Sequence, residues 1–357
     1  MNIQIQKTDY ERPTPSTFIG SELSWHYCAA NTERLAARLD KDGRLLLFGE
    51  AGAFRAEAQL DFQQQTLKLG AIRLDPLHND ATTLLAALLD AVFQRFPDVP
   101  TILVPLADVL APVSALALRE SDGLAVIERH VLRQLPLLWR KQAVYTSYPA
   151  LRSSLGPAER LPLLRPPRPS GVFYERWIPE LNKTVSLRPI DRRTDLDMFY
   201  AWMNQGRVSF FWELAQSREA LETYLCEQES DAHIFGVIAS FDHEPAGYFE
   251  FYWAREDRLG PHYESEDFDR GWHGLIGNPR HLGRPKTLAL FRSVTHYLFL
   301  DEPRTRRIVG EPRASHQKML SYCADVAYDK VKEFDFPHKR AALVCCERER
   351  FFREVPL

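Results

Sequence analysis

The sequence predicts a two-domain protein of mixed α/β (α+β) class, and three observations carry that prediction. The chain has 357 residues, 45% of them hydrophobic, and at roughly 100–200 residues per domain that length supports two cores. A Pro-rich stretch, SYPALRSSLGPAERLPLLRPPRPSG, sits near the middle, with prolines at 162, 166, 167 and 169 that forbid a helix and favour an extended crossing. Beyond it, strand-like and helix-like patterns alternate around what must be a mixed sheet. The expected layout is an N-terminal domain over 1–150, a linker over 151–171 and a second domain over 172–357.

In the first half, TLKLGAIRL (66–74) reads as a strand, ATTLLAALLDAVFQRF (81–96) as a helix and TILVPL (101–106) as a strand. In the second half, VFYERWIPELNKTVSLRPI predicts a hairpin turning at Asn182 and Lys183. Thr194 can cap a helix through DLDMFYAWMN, and Ser217 another through REALETYLCEQ. Strands follow at Ile234 to Ser240, Ala246 to Ala254 and WHGLIG (272–277), with HEP turning between the first two. Gly283 and Pro285 introduce the helix KTLALFRSVTHYLFL, and the strand RRIVGE leads to a helix from Ser315 to Asp325. Strands VKEFDF and AALVCC close the chain. The strand–helix–strand unit of the first half echoes that of the second, which admits either a degenerate duplication or a pairing of unrelated domains.

Composition removes several function classes. With 45 Lys+Arg against 48 Asp+Glu the net charge is −3, so no bulk field draws the chain to nucleic acid or an anionic membrane. No run of about 18 apolar residues exists, so no span is expected, and MNIQIQKTDYERP lacks the apolar core of a secretory signal. A cytoplasmic setting is the expectation. Five scattered cysteines without a CxxC pair argue against a disulfide framework or a zinc site, and Cys345 and Cys346 read as buried strand residues.

The chemistry concentrates in three places. Arg280-His281-Leu282-Gly283-Arg284-Pro285-Lys286-Thr287 joins a strand to a helix, so a glycine, free helix N–H groups and positive charge describe a phosphate cradle or an ordinary basic capping loop. His273 lies on the strand ending at that loop, either as a base titrating near neutrality or as a core histidine. Glu311 ends the next strand, where parallel strands open a binding mouth, and it can equally serve the dipole of the following helix. Ahead of them, NQGRVSFFWE and YFEFYWAREDRLGPHY carry Trp212, Glu213, Glu250, Tyr252 and Trp253, whose carboxylates and rings suit a cationic amine substrate or a plain solvated strand face. Alternation places Tyr248, Glu250 and Tyr252 on one face and Phe249, Phe251 and Trp253 on the other.

Taken together, the R-x-x-G-x-P loop, its helix and the strand ending in Glu-Pro resemble the GCN5-related N-acetyltransferase (GNAT) fold. More narrowly, FFWE, GYFEFYWAREDRLGPHY, DRGWHGLIG, FLDEPRTRRIVGEPRASH and KEFDFPHKRAALVCCERERFF resemble the siderophore-biosynthesis acyltransferases that acylate hydroxylysine in the aerobactin pathway. The resemblance covers about residues 185–353 and leaves 1–170 to composition and pattern. It implies an acetyl-CoA or other short acyl-CoA co-substrate, with the pyrophosphate held by Arg280, Gly283, Arg284, Lys286 and Thr287. It puts His273 as base beside an N-hydroxylated amine, with Glu311 supporting it, and a backbone N–H near Ile276 or Gly277 on the oxyanion. The product would be a hydroxamate, and no metal is required.

Two positions depart from the family pattern. Pro285 replaces a loop glycine, and Ser315 or His316 stands where an Asn is usual. Hydroxylysine, hydroxyornithine, hydroxycadaverine and hydroxyputrescine all remain open as acceptors, as do acetyl, succinyl and longer acyl groups. The competing functions are a GNAT enzyme acting on an ordinary amine or antibiotic and a non-catalytic acyl-CoA-binding protein. The N-terminal domain is expected to be a structural or dimer-forming partner, since LDPLHNDAT offers Asp75 and Asp80 but no Gly or Arg to a phosphate.

Overall fold

A computed structural model of the chain describes residues 23–28, 33–63, 66–77, 80–116, 120–141, 150–152 and 163–357. Most of the proline-bearing stretch before Leu163 lies outside these residues. The chain divides into two compact units, one built on Arg34–Leu132 and the other on Arg133–Leu357. Each holds one eight-stranded sheet.

The first unit comprises β1 (Leu23–Cys28), β2 (Arg34–Leu39), β3 (Arg44–Phe48), β4 (Phe54–Gln63), β5 (Thr66–Leu74), α1 (Ala81–Arg95), β6 (Thr101–Pro105), α2 (Ala111–Ser114), β7 (Glu120–Ser121), β8 (Leu124–Glu128) and α3 (Arg129–Leu132). Its strand order is β1-β2-β3-β4-β5-β6-β8-β7, and the β5–β6 pair, joined through α1, is parallel. Alternate residues of β2 and β3 are buried, as a sheet covered on one face requires. By contrast α1 is buried almost all round from Thr83 to Phe93.

The second unit comprises β9 (Tyr174–Ile178), β10 (Lys183–Pro189), α4 (Arg192–Met203), α5 (Gly206–Trp212), α6 (Arg218–Ser230), β11 (Ile234–Phe241), β12 (Glu244–Trp253), β13 (Arg270–Ile276), α7 (Arg284–Asp301), β14 (Arg307–Gly310), α8 (Gln317–Ala324), β15 (Tyr328–Phe336), β16 (Lys339–Glu347) and α9 (Arg348–Glu354). Its order is β9-β10-β11-β12-β13-β14-β16-β15. The β13–β14 pair is parallel and joined through α7. The two sheets therefore share one strand order, down to the final strand inserted inside its predecessor.

The division falls earlier than the Pro-rich stretch. Residues 133–141 pack onto the second unit: Trp139 meets the His296 ring edge-on at 4.9 Å, and Arg140 donates to the Leu300 carbonyl at 3.2 Å. The described end of the expected linker is also pinned there. Arg165 Nη2 donates to both Glu256 oxygens at 2.8 and 2.7 Å and its guanidinium lies over Trp253, while Arg168 donates to the Gln228, Asp231 and Ile234 carbonyls. It behaves as a strap rather than a spacer.

Local signals explain most element ends. Ser217 caps α6 by accepting from the Ala220 N–H at 3.2 Å. The cap of α4 is Asp191 rather than Thr194, accepting from the Arg193 N–H at 2.9 Å, so that helix starts earlier than expected. Asn182, in the left-handed region, turns β9 into β10. Among the described residues no helix is long and apolar enough to cross a membrane.

Candidate active site

The parallel ladder between β13 and β14 is short, pairing only Arg270 with Ile308 and Gly271 with Val309. Beyond it the strands separate, because β14 ends at Gly310 and turns away at Pro312 while β13 runs on to Ile276. Among the described residues the β14-facing edge of 272–276 is thereby left without a partner strand. A cavity of about 980 Å³ fills this opening. Trp212, Glu213, Glu250, His273, Ile276, Gly283, Thr287 and Glu311 line it, so one continuous space joins the start of α7 to the titratable groups.

His273 stands at the centre. Cross-strand pairing sets it opposite Glu250. Its Nδ1 is 3.0 Å from Glu250 Oε2 and its Nε2 is 3.0 Å from Glu311 Oε1. Both carboxylates are buried. A neutral imidazole would present a lone pair to one of them, so two such contacts call for the imidazolium. Burial opposes the charge, but Glu311 and Glu250 outweigh it and push His273 up to about 10. The same contacts hold both carboxyls low against burial: Glu250 falls below the ordinary carboxylate value and Glu311 well below. The two carboxylates thus favour the charged imidazolium and move its titration above the near-neutral range expected of a free base.

Each carboxylate has its own clamp. Glu250 accepts from Tyr224, from Gln228 Nε2 at 3.1 Å and from the Tyr248 hydroxyl at 3.0 Å. Tyr224 and Gln228 sit one turn apart on α6 and so reach the same point. Glu311 accepts from Tyr252 at 3.2 Å and Arg258 at 3.0 Å, with the Lys339 ammonium 3.5 Å from Oε1. Glu250 is thus a partner of His273 rather than an acid awaiting an amine.

The phosphate loop differs from its reading as a cluster of free cations. Arg280 pairs with Glu244, Arg284 with Asp325, and Lys286 donates to the Arg280 carbonyl at 2.8 Å. Glu244 also meets His281 Nε2 at 3.0 Å, which braces the loop from the β11–β12 turn. What stays available is backbone. Gly283 precedes α7 with φ +122 and no capping side chain, so the N–H groups of the first turn face outward. Pro285 removes one of those donors.

Three further positions, Gly277, Trp253 and Tyr252, lie apart from the cavity. Gly277 is required by packing: a Cβ there would come within 1.9 Å of the Trp202 ring, and its carbonyl accepts from Arg207 at 2.7 Å. Trp253 points to the opposite face of β12, between the guanidiniums of Arg165 and Arg270, each 4.0 Å from the ring centre. Tyr252 is fully buried behind Glu311. Trp212 does reach the site, with its ring centre 6.4 Å from that of His273, and Glu213 pairs with Arg313 at the rim. Tyr224, Gln228, Arg258 and Lys339 were not singled out by the sequence. The available sign was Gln228, a polar residue in the buried stripe with Leu221 and Leu225.

Comparison with known proteins identifies the family. Residues 191–336 match the acetyltransferase (GNAT) domain family. The chain is 39% identical over 274 residues to an Escherichia coli protein named N(6)-hydroxylysine O-acetyltransferase, covering 75% of this chain and 85% of that one. The chain belongs to the GNAT acyltransferase family. The aligned share exceeds the whole second unit, so the likeness reaches beyond residues 185–353 into the first unit. A Beauveria bassiana protein named N(5)-hydroxyornithine:cis-anhydromevalonyl coenzyme A-N(5)-transacylase is 41% identical over 194 residues, 54% of this chain and 42% of that one. A crystal structure of an uncharacterized Bacillus halodurans protein overlays 51% of this chain and 93% of its own, with 30% identity and a TM-score of 0.49.

Proposed function

We propose that this GNAT protein transfers an acyl group from acyl-CoA to the nitrogen of an N-hydroxylated amine, forming a hydroxamate for siderophore assembly. The observation that carries the choice of acceptor is the Glu250–His273–Glu311 array, in which both imidazole nitrogens face buried carboxylates at 3.0 Å. An alkyl ammonium with a pKa of about 10.4 must lose a proton before it can attack. No group in this array is a free base strong enough to take that proton, because the imidazole is already protonated and both carboxyls are held low. A hydroxylamine is far less basic and is neutral at pH 7, so it can attack directly. The relatives named for hydroxylysine and hydroxyornithine support the same reading.

The co-substrate reading rests on the start of α7. Gly283, Arg284, Lys286 and Thr287 with Arg280 would receive the pyrophosphate, mainly through backbone N–H groups and the helix dipole. The pantetheine arm would then run along the open edge of β13 towards His273, where alternate backbone N–H groups between Trp272 and Ile276 can donate to the thioester oxygen. Attack forms the N–C bond and puts a positive charge on nitrogen. That N–H is strongly acidic, flanked by a hydroxyl and an electron-poor carbon, so the weakly basic Glu311 carboxylate suffices to accept its proton. The imidazolium beside it can supply a proton as the C–S bond breaks and the thiol leaves. Binding both partners in line supplies much of the rate. A cytoplasmic setting, where acyl-CoA is made, belongs to the same proposal.

The test is a product assay. Acetyl-CoA and N6-hydroxylysine should yield free thiol together with a product that forms a coloured ferric complex, whereas lysine should give neither. An O-acetylated product, the kind named for the Escherichia coli relative, would release thiol without the ferric colour and would contradict N-acylation. Turnover of lysine at a comparable rate would contradict the choice of acceptor.

A further inference from the structure

Building on the acylation proposed above, we propose that the end of the cavity beyond Glu311 is a carboxylate subsite formed by Arg258, Arg313 and Lys339, with His338 at its rim, and hence that one of the two substrates carries a carboxylate. The four side chains come from the segment after β12, the segment after β14 and the β15–β16 turn, and all four line the cavity. Two of them, Arg258 and Lys339, converge on one carboxyl, while Arg313 pairs with Glu213 beside it. Arg258 Nη2 is 3.0 Å and Lys339 Nζ 3.5 Å from the same oxygen, Glu311 Oε1, while the Lys339 ammonium donates to the Glu311 carbonyl at 2.7 Å.

The guanidiniums at this end are only partly used. Three permanent cations face Glu311 and Glu213, with Asp257 adding its field at Arg258, and Glu311 is shared with His273. Arg258 is half-exposed and engages Glu311 through Nη2 alone among the described residues, leaving the rest of its fork to the cavity. Arg313 likewise spends one nitrogen on Glu213, an exposed residue that a ligand can displace. Partial desolvation, Arg258 and Lys339 all hold His338 below its ordinary value, so it is a neutral donor at the rim.

Two half-used guanidinium forks suit a planar carboxylate, which each can bind through two parallel hydrogen bonds. A bare ammonium in the same place would meet three like charges. The subsite is also separate from the phosphate cradle: β13 continues three residues past His273 before the α7 loop, roughly 10 Å of extended chain. Arg280 and Arg284 in that loop are already paired with Glu244 and Asp325.

The carboxylate has two possible sources, the α-carboxylate of an N-hydroxylated amino acid or the far end of a dicarboxylic acyl group. A two-by-two panel separates them: N6-hydroxylysine or N-hydroxycadaverine, each with acetyl-CoA or succinyl-CoA, measured as kcat/KM. The expected result is a preference of about tenfold or more for the carboxylate-bearing compound in the acceptor arm or the donor arm, the size lost with one charged hydrogen bond. Arg313→Gln should reduce that preference to below threefold, and Arg258→Gln should do the same. If Arg258→Gln fails to fold, Arg313→Gln reads the subsite alone. Four combinations within threefold of one another would overturn the subsite while leaving the acylation intact. So would a preference that survives Arg313→Gln, or an equal loss in all four. Absence of product from every combination would overturn the acylation instead. Dissociation constants of the same four compounds then decide the subsite independently: a carboxylate preference sensitive to Arg313→Gln upholds it, and equal affinities overturn it.

Discussion

The two sheets of this protein differ least in topology and most at three register positions. In the second unit, the residue three beyond the first parallel pair of β13 is His273; its antiparallel neighbour is Glu250, and the matching position after β14 is Glu311. Counting the same way in the first unit gives Gly70 on β5, Gln59 on β4 and Pro105 at the end of β6. Nothing at these three positions can hold or move a proton. The helix starts differ in the same sense. Asp80 caps α1 with its own carboxylate, accepting from the Thr83 N–H at 2.9 Å, whereas Gly283 leaves the start of α7 open. One backbone plan is thus compatible with a site and with its erasure, and side chains decide which. This supports reading the first unit as a degenerate copy without an acyl-CoA site.

Removing the central group should have the largest effect on that contrast. His273→Ala makes the second unit resemble the first at one position, and turnover should fall by about 10²–10⁴-fold with acyl-CoA affinity little changed. Stopped-flow or steady-state rates and calorimetry on one preparation check both halves. The histidine should also leave a mark on stability. Because its folded pKa, about 10, lies above the unfolded value, its contribution is complete below pH 6.5 and fades as the pH climbs towards 10. The melting-temperature gap between wild type and His273→Gln should narrow over that range. A constant gap would show that the histidine is not held as an imidazolium.

Importing the first unit's cap into the second should come next. Gly283→Asp places a carboxylate at the start of α7, at a backbone angle of +122 that disfavours any side chain, and acyl-CoA affinity should drop by at least about tenfold. Arg284→Ala should cost less, since that guanidinium is already engaged by Asp325. The smallest effect belongs to the reverse exchange. Asp80→Ala removes a helix cap worth about 1 kcal/mol, so the protein should melt lower while turnover stays unchanged. Loss of turnover on Asp80→Ala would mean that the first unit serves the chemistry.

Much of this was legible in the chain because local signals and global fold agree. Strand β5, helix α1 and strand β6 follow the pattern at 66–74, 81–96 and 101–106 almost residue for residue, and the Ser217 cap is local chemistry. What escaped was set by distant partners. Helix α5 escaped notice within an aromatic stretch with no clear apolar stripe, and α9 within the charged tail. Glu250 reads as a polar strand residue until Tyr224 and Gln228 arrive from another helix. The loop arginines read as free until Glu244 and Asp325 fold against them. Trp253 faces away from the cavity, as strand alternation already required, so it belongs with the strap and not with the substrate.

The central claim, that one unit carries the chemistry and the other only its plan, is tested most directly by counting acyl-CoA sites. Titration calorimetry of the full chain with acetyl-CoA should give one site per chain, and Gly283→Asp should weaken that site at least tenfold. Two sites per chain, or a single site untouched by Gly283→Asp and weakened by Asp80→Ala, would contradict the account.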